Sequence, residues 1–323
     1  MKKILSLTLA VILVAVSIFA LSSCGKKTDD AIRVTTLNGT TGFGMAPLMK
    51  EAADGNTKNE YEFTVESDAS IVTAGLINGT IDIAALPTNA AANVYNKTNG
   101  GVQIIAINTL GVLYIVTNGV EISSIADLEG KTIYCPAQNP LFITKYILEQ
   151  NGLSDKVTVD ATTYAKPDAL RDAVKAGQVE IAVLPEPMVT IAKSGNQNVA
   201  VALDLTSEWN KNSNGKQLVQ GCVVVRTEFA NEYPGSIKSF LKEYKQSIEA
   251  VNENPESAAA SIKEFGIFAN EAVAKNAIPK CNIAYMDGKE MKTAMQNFLE
   301  AMNSIAPASI GNAIPGDDFY YGA

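Results

Sequence analysis

The sequence contains no histidine among its 323 residues. Histidine supplies the general base of Ser-His-Asp triads, a ligand of most catalytic zinc sites and the usual proton relay near neutral pH. Its absence excludes these arrangements. We expect no catalytic residue, no bound metal and no cofactor.

Cysteine is scarce as well, with four residues that show neither a CxxC motif nor the spacing of a metal site. Once Cys24 is set aside as a candidate for acylation, Cys135, Cys222 and Cys281 remain, which is an odd number. One disulfide plus a free thiol is consistent with this count. Three buried thiols are equally consistent with it.

Basic residues are outnumbered by acidic ones, 26 against 34, which gives a net charge of −8. Residues 1–23 contain Lys2 and Lys3 but no acid, so their removal would leave 24 basic residues and a charge of −10. An acidic surface of this kind disfavours nucleic acid or anionic lipid as a partner.

The start of the chain has the pattern of an export signal. Lys2 and Lys3 precede an apolar stretch over residues 4–21, and the run Leu21-Ser22-Ser23-Cys24 resembles the lipobox of bacterial lipoproteins, which is cleaved before an acylated cysteine. An ordinary signal peptide or an uncleaved anchor would share the apolar run. We predict a signal peptide over residues 1–23, lipidation of Cys24 within a tether over 24–31, and attachment to the extracytoplasmic face of the cell membrane.

A nine-residue segment occurs twice, 98 positions apart. Residues 79–87 read GTIDIAALP and residues 177–185 read GQVEIAVLP, so that five positions are identical. In both copies a helix-like segment ends at the glycine and a strand-like run follows it. Two copies are too few for a solenoid, and the alternation of strands and helices predicts two similar α/β lobes.

The division of the chain follows from this repeat. We expect the first lobe to comprise residues 32–117 and 221–323, and the second lobe residues 118–220. The apolar strand near 218–225 has no partner in the repeat and is interpreted as the return crossing. Two crossings would form a hinge of two strands with a cleft between the lobes.

Ligands of such sheets bind at the carboxyl ends of the strands, and the candidate ligand-binding residues are chosen there. Glu186 is a candidate for a charged contact, since prolines on both sides fix its backbone; a solvated loop carboxylate is the alternative. Gly111, between two buried strands, and Gln220, on the return crossing, are further candidates. The remaining ones lie in turns after strands: Asn38, Thr40, Thr41, Gly42 and Phe43; Thr88 and Asn89; and Gln138 and Asn139.

Several runs together resemble the bacterial solute-binding lipoproteins of ABC importers, in the group that binds nitrate, sulfonates and taurine, or thiamine precursors. These runs are 40–45 (TTGFGM), 76–87 (LINGTIDIAALP), 127–133 (DLEGKTI) and 183–187 (VLPEP), and the likeness extends from Ile32 to Tyr321. The resemblance implies a two-lobe periplasmic-binding fold of type II, with a mainly parallel sheet flanked by helices in each lobe. It also implies a monomer that closes on a small solute and presents it to a membrane permease.

The resemblance leaves the ligand open. Family members that bind inorganic anions or sulfonates present hydroxyls, amides and helix ends, a pattern that Thr40, Thr41, Gln138 and Asn139 fit. The thiamine-precursor branch binds a flat aminopyrimidine, which an acidic residue such as Glu186 suits better.

Two other functions use the same features. An extracytoplasmic sensor would need the same cleft. An extracytoplasmic enzyme could use pairs of carboxylates among Asp68, Asp82, Glu180 and Glu186, although no acid/base pair is evident from their spacing.

Overall fold

The computed structural model describes residues 25–213 and 216–323. The predicted signal peptide and the predicted lipidation site at Cys24 lie outside the described residues.

Strands and short helices alternate along most of the described chain. The strands are β1 (Ile32–Leu37), β2 (Tyr61–Glu66), β3 (Ile83–Pro87), β4 (Val102–Leu110), β5 (Leu113–Asn118), β6 (Thr132–Tyr134), β7 (Thr158–Asp160), β8 (Ile181–Pro185), β9 (Val199–Asp204), β10 (Val219–Arg226) and β11 (Ile283–Met286). The helices are α1 (Thr40–Phe43), α2 (Ala46–Ala53), α3 (Ala69–Asn78), α4 (Thr88–Thr98), α5 (Asn139–Gln150), α6 (Pro167–Lys175), α7 (Met188–Gly195), α8 (Leu205–Asn212), α9 (Thr227–Glu232), α10 (Pro234–Glu253), α11 (Pro255–Glu264), α12 (Glu271–Ala277) and α13 (Gly288–Ile305).

The strands form two sheets, one in each lobe. The order is β11-β4-β10-β3-β1-β2 in the first sheet and β7-β6-β8-β5-β9 in the second. The strands of each repeat, β2-β1-β3 and β7-β6-β8, pair in parallel. An antiparallel strand comes next in each sheet, β10 in the first and β5 in the second, and the strand after it, β4 or β9, runs with the parallel set again. The first sheet ends with a second antiparallel strand, β11. The predicted fold, two α/β lobes with mainly parallel sheets, is confirmed.

The repeat is reproduced in the backbone. Gly79 and Gly177 follow α3 and α6 with φ of 79° and 76°, the left-handed region that ends a helix at little cost only for glycine. The repeated strands β3 and β8 begin four residues later and pair with β1 and β6. The 98-residue offset therefore relates equivalent positions of the two lobes.

Strand pairing differs from the predicted division of the chain at its first boundary. The division at residue 117 placed Leu113 to Thr117 in the first lobe, but β5 pairs with β8 and β9 in the second sheet. The chain crosses at Gly111-Val112, directly after β4. Both β4 and β5 are buried and apolar, so their sequence did not indicate which sheet each strand joins.

The second crossing follows α8 and leads into β10, whose Val219 pairs with Leu110 of β4. The two crossings thus lie side by side at the edge of the first lobe. The first crossing leads into β5 and the second into β10, and each of these strands is antiparallel to the parallel strands of the lobe that it enters.

Apolar side chains pack on both faces of each sheet. Ala84 and Leu86 of β3 join one cluster, and Ile83 and Ala85 join another on the opposite face. The first cluster continues through Leu113 into the second lobe. Cys135, Cys222 and Cys281 are buried free thiols, which is the second of the two alternatives considered for them. Within the described residues, no helix has the length and apolarity needed to cross a membrane.

Asp82, just before β3, is held by two arginines. Its Oδ1 accepts from Nη2 of Arg33 at 2.7 Å and from Nη2 of Arg226 at 3.1 Å, and its side chain is 4% exposed. Burial by itself raises the pKa of the Asp82 carboxyl, but the hydrogen bonds from Arg33 and Arg226 outweigh burial and leave the pKa below its ordinary value. The equivalent residue of the second lobe, Glu180, is exposed.

We expect Asp82→Asn to lower the free energy of unfolding by roughly 3 kcal/mol at pH 7, because two arginines lose the buried charge that they share. Since the folded pKa of Asp82 is lowered, its contribution is complete above pH ~4 and is lost as the pH falls through the folded value. Urea unfolding at several pH values measures both effects. Glu180→Gln is the matched control and should change stability by less than about 0.5 kcal/mol; equal losses for both variants would contradict the assignment.

Candidate functional site

A cleft of about 870 Å³ separates the two lobes at the carboxyl ends of their parallel strands. The first lobe contributes residues 38–41, 67–68 and 266–269, and the second contributes 166–168, Arg171, 185–188 and Ile191. Four of the twelve candidate residues line it together, namely Asn38, Thr40, Thr41 and Glu186.

The turn after β1 forms one wall of the cleft. Gly39 has φ of 84° and donates its N–H to Ile267 O, so the turn is fixed against the loop that follows α11. Asn108 Nδ2, on β4, donates to Thr41 O at 3.1 Å. The Thr40 and Thr41 side chains are left partly exposed at the start of α1, where hydroxyls can both donate and accept.

Gly42 and Phe43 lie beneath this wall. A Cβ atom at Gly42 would overlap Leu37 O, so only glycine allows α1 to pack this closely on β1. Phe43 is fully buried and meets Phe268 edge to face, with 6.1 Å between ring centroids. The ring that lines the cleft is therefore Phe268, and Phe43 supports it.

Glu186 is the most enclosed carboxylate of the cleft. Its residue is 2% exposed, and its two carboxylate oxygens accept from Thr190 N–H at 3.1 Å and from Thr190 Oγ1 at 3.0 Å. Its own N–H donates to Val112 O at the crossing. Burial raises the pKa of Glu186, while the hydrogen bonds from Thr190 act in the opposite direction. The side chain is thus fixed in place at the junction of cleft and hinge.

Three other candidate residues lie at the hinge. Gln220 Oε1 accepts from Val112 N–H at 2.7 Å, and Thr88 Oγ1 donates to Val219 O at 2.8 Å. A side chain at Gly111 would overlap Thr206 Oγ1. These residues stabilise the crossings, and they are not among those that line the cleft.

The last three candidates, Asn89, Gln138 and Asn139, are not among the residues that line the cleft. Gln138 is exposed with φ of 64°, and Asn139 begins α5. Asn89 lies in the first turn of α4. The Oδ1 atoms of Asn89 and Asn139 are buried and have no hydrogen-bond partner among the described residues. An unpaired buried oxygen of this kind can accept from a ligand or a water molecule.

Sequence reasoning missed the two cations of the cleft, Lys166 and Arg171, and considered Asp68 only as a carboxylate of the enzyme alternative. Arg171 donates from Nε and Nη2 to Asp172, and from Nη1 to Asp168 Oδ1 and Met188 Sδ. Lys166 and Asp68 lie at equivalent positions before α6 and α3. The repeat itself could have located them, since the carboxyl ends of β2 and β7 face the same cleft.

The cleft therefore carries two cations, Lys166 and Arg171, and three carboxylates, Asp68, Asp168 and Glu186. The other two residues of the enzyme alternative lie outside it: Asp82 is paired with arginines, and Glu180 is exposed at the amino end of β8. Within the part of the chain that the structure describes, no group of three or more Cys, Asp and Glu residues has the arrangement of a metal site.

Comparison with known proteins identifies the family and the fold. The model of a family described as ABC transporter, phosphonate, periplasmic substrate-binding protein matches residues 45–267. A search of curated sequences gives no significant match.

Solved structures share the fold over nearly their whole length. An ABC transporter protein of Parabacteroides distasonis is 24% identical, with 90% of this chain and 99% of that chain covered and a TM-score of 0.77. The aliphatic sulphonate-binding protein SsuA of Escherichia coli is 14% identical over 90% and 98% of the two chains, with a TM-score of 0.69. The alkanesulfonate-binding protein SsuA of Xanthomonas axonopodis pv. citri, bound to MOPS, is 13% identical over 88% and 94%, with a TM-score of 0.64.

At these identities the structural likeness shows the periplasmic-binding fold, while the family match covers more than half of the chain. The resemblance noted from the sequence is thereby confirmed. The chain belongs to the phosphonate-binding family of periplasmic substrate-binding proteins of ABC transporters.

Proposed function

We propose that the protein captures a small organic solute in the cleft between its lobes and delivers it, as a monomer held outside the cell membrane by a lipid on Cys24, to an ABC permease. The observation that carries this proposal is a cleft of about 870 Å³ whose walls come from both lobes. A solute that touches both walls favours the closed arrangement by its extra contacts.

The charges in the cleft favour a solute with a hydrogen-bond-donating amino group, such as a thiamine-precursor-like pyrimidine. Three carboxylates oppose two cations, and Arg171 already donates to Asp168 and Asp172. Phe268, Met188 and Ile191 add an apolar wall that suits a flat ring.

A sulfonate or phosphonate is the second candidate. Lys166 and the Thr40 and Thr41 hydroxyls can hold an anion, and the amino ends of α3 and α6 open on the same space. The two candidates differ in what they require of Glu186, which would accept from an amino group but would repel an anion.

Isothermal titration of the mature chain separates these candidates. The panel comprises an aminopyrimidine with a hydroxymethyl group, alkanesulfonates, alkylphosphonates and nitrate. We expect saturable binding of one solute per chain, with the aminopyrimidine preferred. If no member of the panel bound, and no solute in a wider thermal-shift screen did, solute capture would lose its support.

Glu186→Gln tests the contact within the cleft. If Glu186 accepts a hydrogen bond from the solute, we expect the dissociation constant of an amino-bearing solute to rise roughly 10- to 100-fold, as for the loss of a hydrogen bond to a charged group. Binding of a sulfonate should be unchanged or tighter. Glu180→Gln, the same change on the outer surface, should have no effect, and an unchanged affinity in Glu186→Gln would remove Glu186 from the site.

Cys24→Ala tests the anchor. We expect cells that express the full chain to incorporate radiolabelled palmitate into the native protein but not into the variant, and the variant to leave the membrane fraction or to remain unprocessed. Equal labelling of both proteins would show that Cys24 is not the lipidated residue.

A further inference from the structure

Two equivalent residues of the repeat carry opposite charges. Asp68 and Lys166 are 98 positions apart, and they are the N-cap residues of α3 and α6 with extended backbone conformations. The φ and ψ angles are −128° and 119° for Asp68, and −100° and 138° for Lys166. Equivalent positions of the two lobes therefore carry an acidic residue, Asp68, in the first lobe and a basic residue, Lys166, in the second.

These two residues line the same cleft from opposite lobes. The pKa of the Asp68 carboxyl is lowered, first by the hydrogen bonds from Ser70 and also by the positive charge of Lys166. Asp68 and Lys166 are therefore opposite charges on the two walls of one cleft. In the described part of the chain the two side chains form no salt bridge with each other.

Local structure explains Asp68 but not Lys166. Asp68 Oδ1 accepts from Ser70 N–H at 2.8 Å, which is the usual capping contact of an aspartate. Lys166 makes no side-chain capping contact, and a cation at the amino end of a helix is opposed by the helix dipole. The side chain of Lys166 therefore does not stabilise the start of its own helix.

The neighbouring charges leave Lys166 available. Arg171 on the same helix is paired with Asp168 and Asp172, whereas Lys166 is exposed and has no salt bridge among the described residues. Asp68 is likewise exposed, with one carboxylate oxygen engaged at the cap.

We propose that Asp68 and Lys166 form a latch across the cleft, an ion pair that draws the lobes together and favours the closed state. The latch adds to the proposed solute capture, because it supplies a cross-lobe contact that does not depend on the solute. Its strength is limited by exposure, so it biases the equilibrium between open and closed forms without locking it.

The test measures the distance between the lobes of the mature chain without any solute. Spin labels on cysteines introduced by Lys97→Cys in the first lobe and Asp155→Cys in the second report the distance distribution. The chain also carries Cys24→Ser, so that the remaining native thiols, Cys135, Cys222 and Cys281, are the buried ones. Raising the salt concentration from about 0.01 M to about 1 M shortens the Debye length from ~30 Å to ~3 Å. We expect the closed-to-open ratio to fall roughly 1.5- to 5-fold as the pair is screened.

Variants separate the pair from other charges. Asp68→Asn retains a capping side chain, and we expect it and Lys166→Gln each to lower the closed-to-open ratio by the same factor at low salt and to abolish the salt dependence. The double variant should lower the ratio no further, because either change alone already removes the pair. Lys238→Gln and Glu290→Gln change the same charges away from the cleft and should behave as the native chain does.

Charge exchange gives the decisive comparison. Asp68→Lys alone and Lys166→Asp alone should favour the open state, and the chain carrying both changes should recover closure relative to either one. Additive effects of the two neutral variants, or no recovery in the exchanged chain, would overturn the latch. Circular dichroism confirms that each variant is folded, and since no solute is present, either result leaves the titration of ligands unaffected.

Discussion

The backbone of Val112 fixes how the two lobes meet. Its N–H donates to Gln220 on the strand that returns to the first lobe, and its carbonyl accepts from Glu186 N–H at the edge of the cleft. Asn282 Nδ2 donates to the neighbouring Gly111 carbonyl. Because both polar groups of Val112 are satisfied by residues of different lobes, the crossing is a defined pivot. The position of the cleft follows from this pivot.

An apolar core supports the pivot from the side. Trp209 of α8 is 1% exposed and packs against Tyr146 of α5 in a tilted arrangement, with 4.4 Å between ring centroids. Its ring centroid lies 6.0 Å from that of Phe298 of α13. Phe298 belongs to the carboxyl-terminal helix, so the second lobe packs against a segment that comes after the return crossing.

The repeat made the fold predictable, since equal spacing of Gly79 and Gly177 and of the strands after them indicates two copies of one unit. It also predicted that Thr40, Thr41 and Glu186 share a cleft. The pairing of β5 was not predictable, because buried strands of either lobe have the same apolar composition. Gln220 and Thr88 were expected at the cleft from their positions on or after strands, but their side chains hydrogen-bond to the backbone of Val112 and Val219 at the hinge. Whether Arg171 lines the cleft depends on the rotation of α6 about its axis, and the spacing of apolar residues along the helix does not specify that rotation.

In the proposed function the solute lies between the lobes and touches both of them. A crystal structure of the mature chain with the solute identified by titration is the test of this arrangement. We predict density for the solute between Thr40 and Glu186, with the Glu186 carboxylate in contact and the lobes closer together. Density confined to a single lobe, for example in the groove between β2 and α3 that Arg33 and Glu62 line, would contradict it.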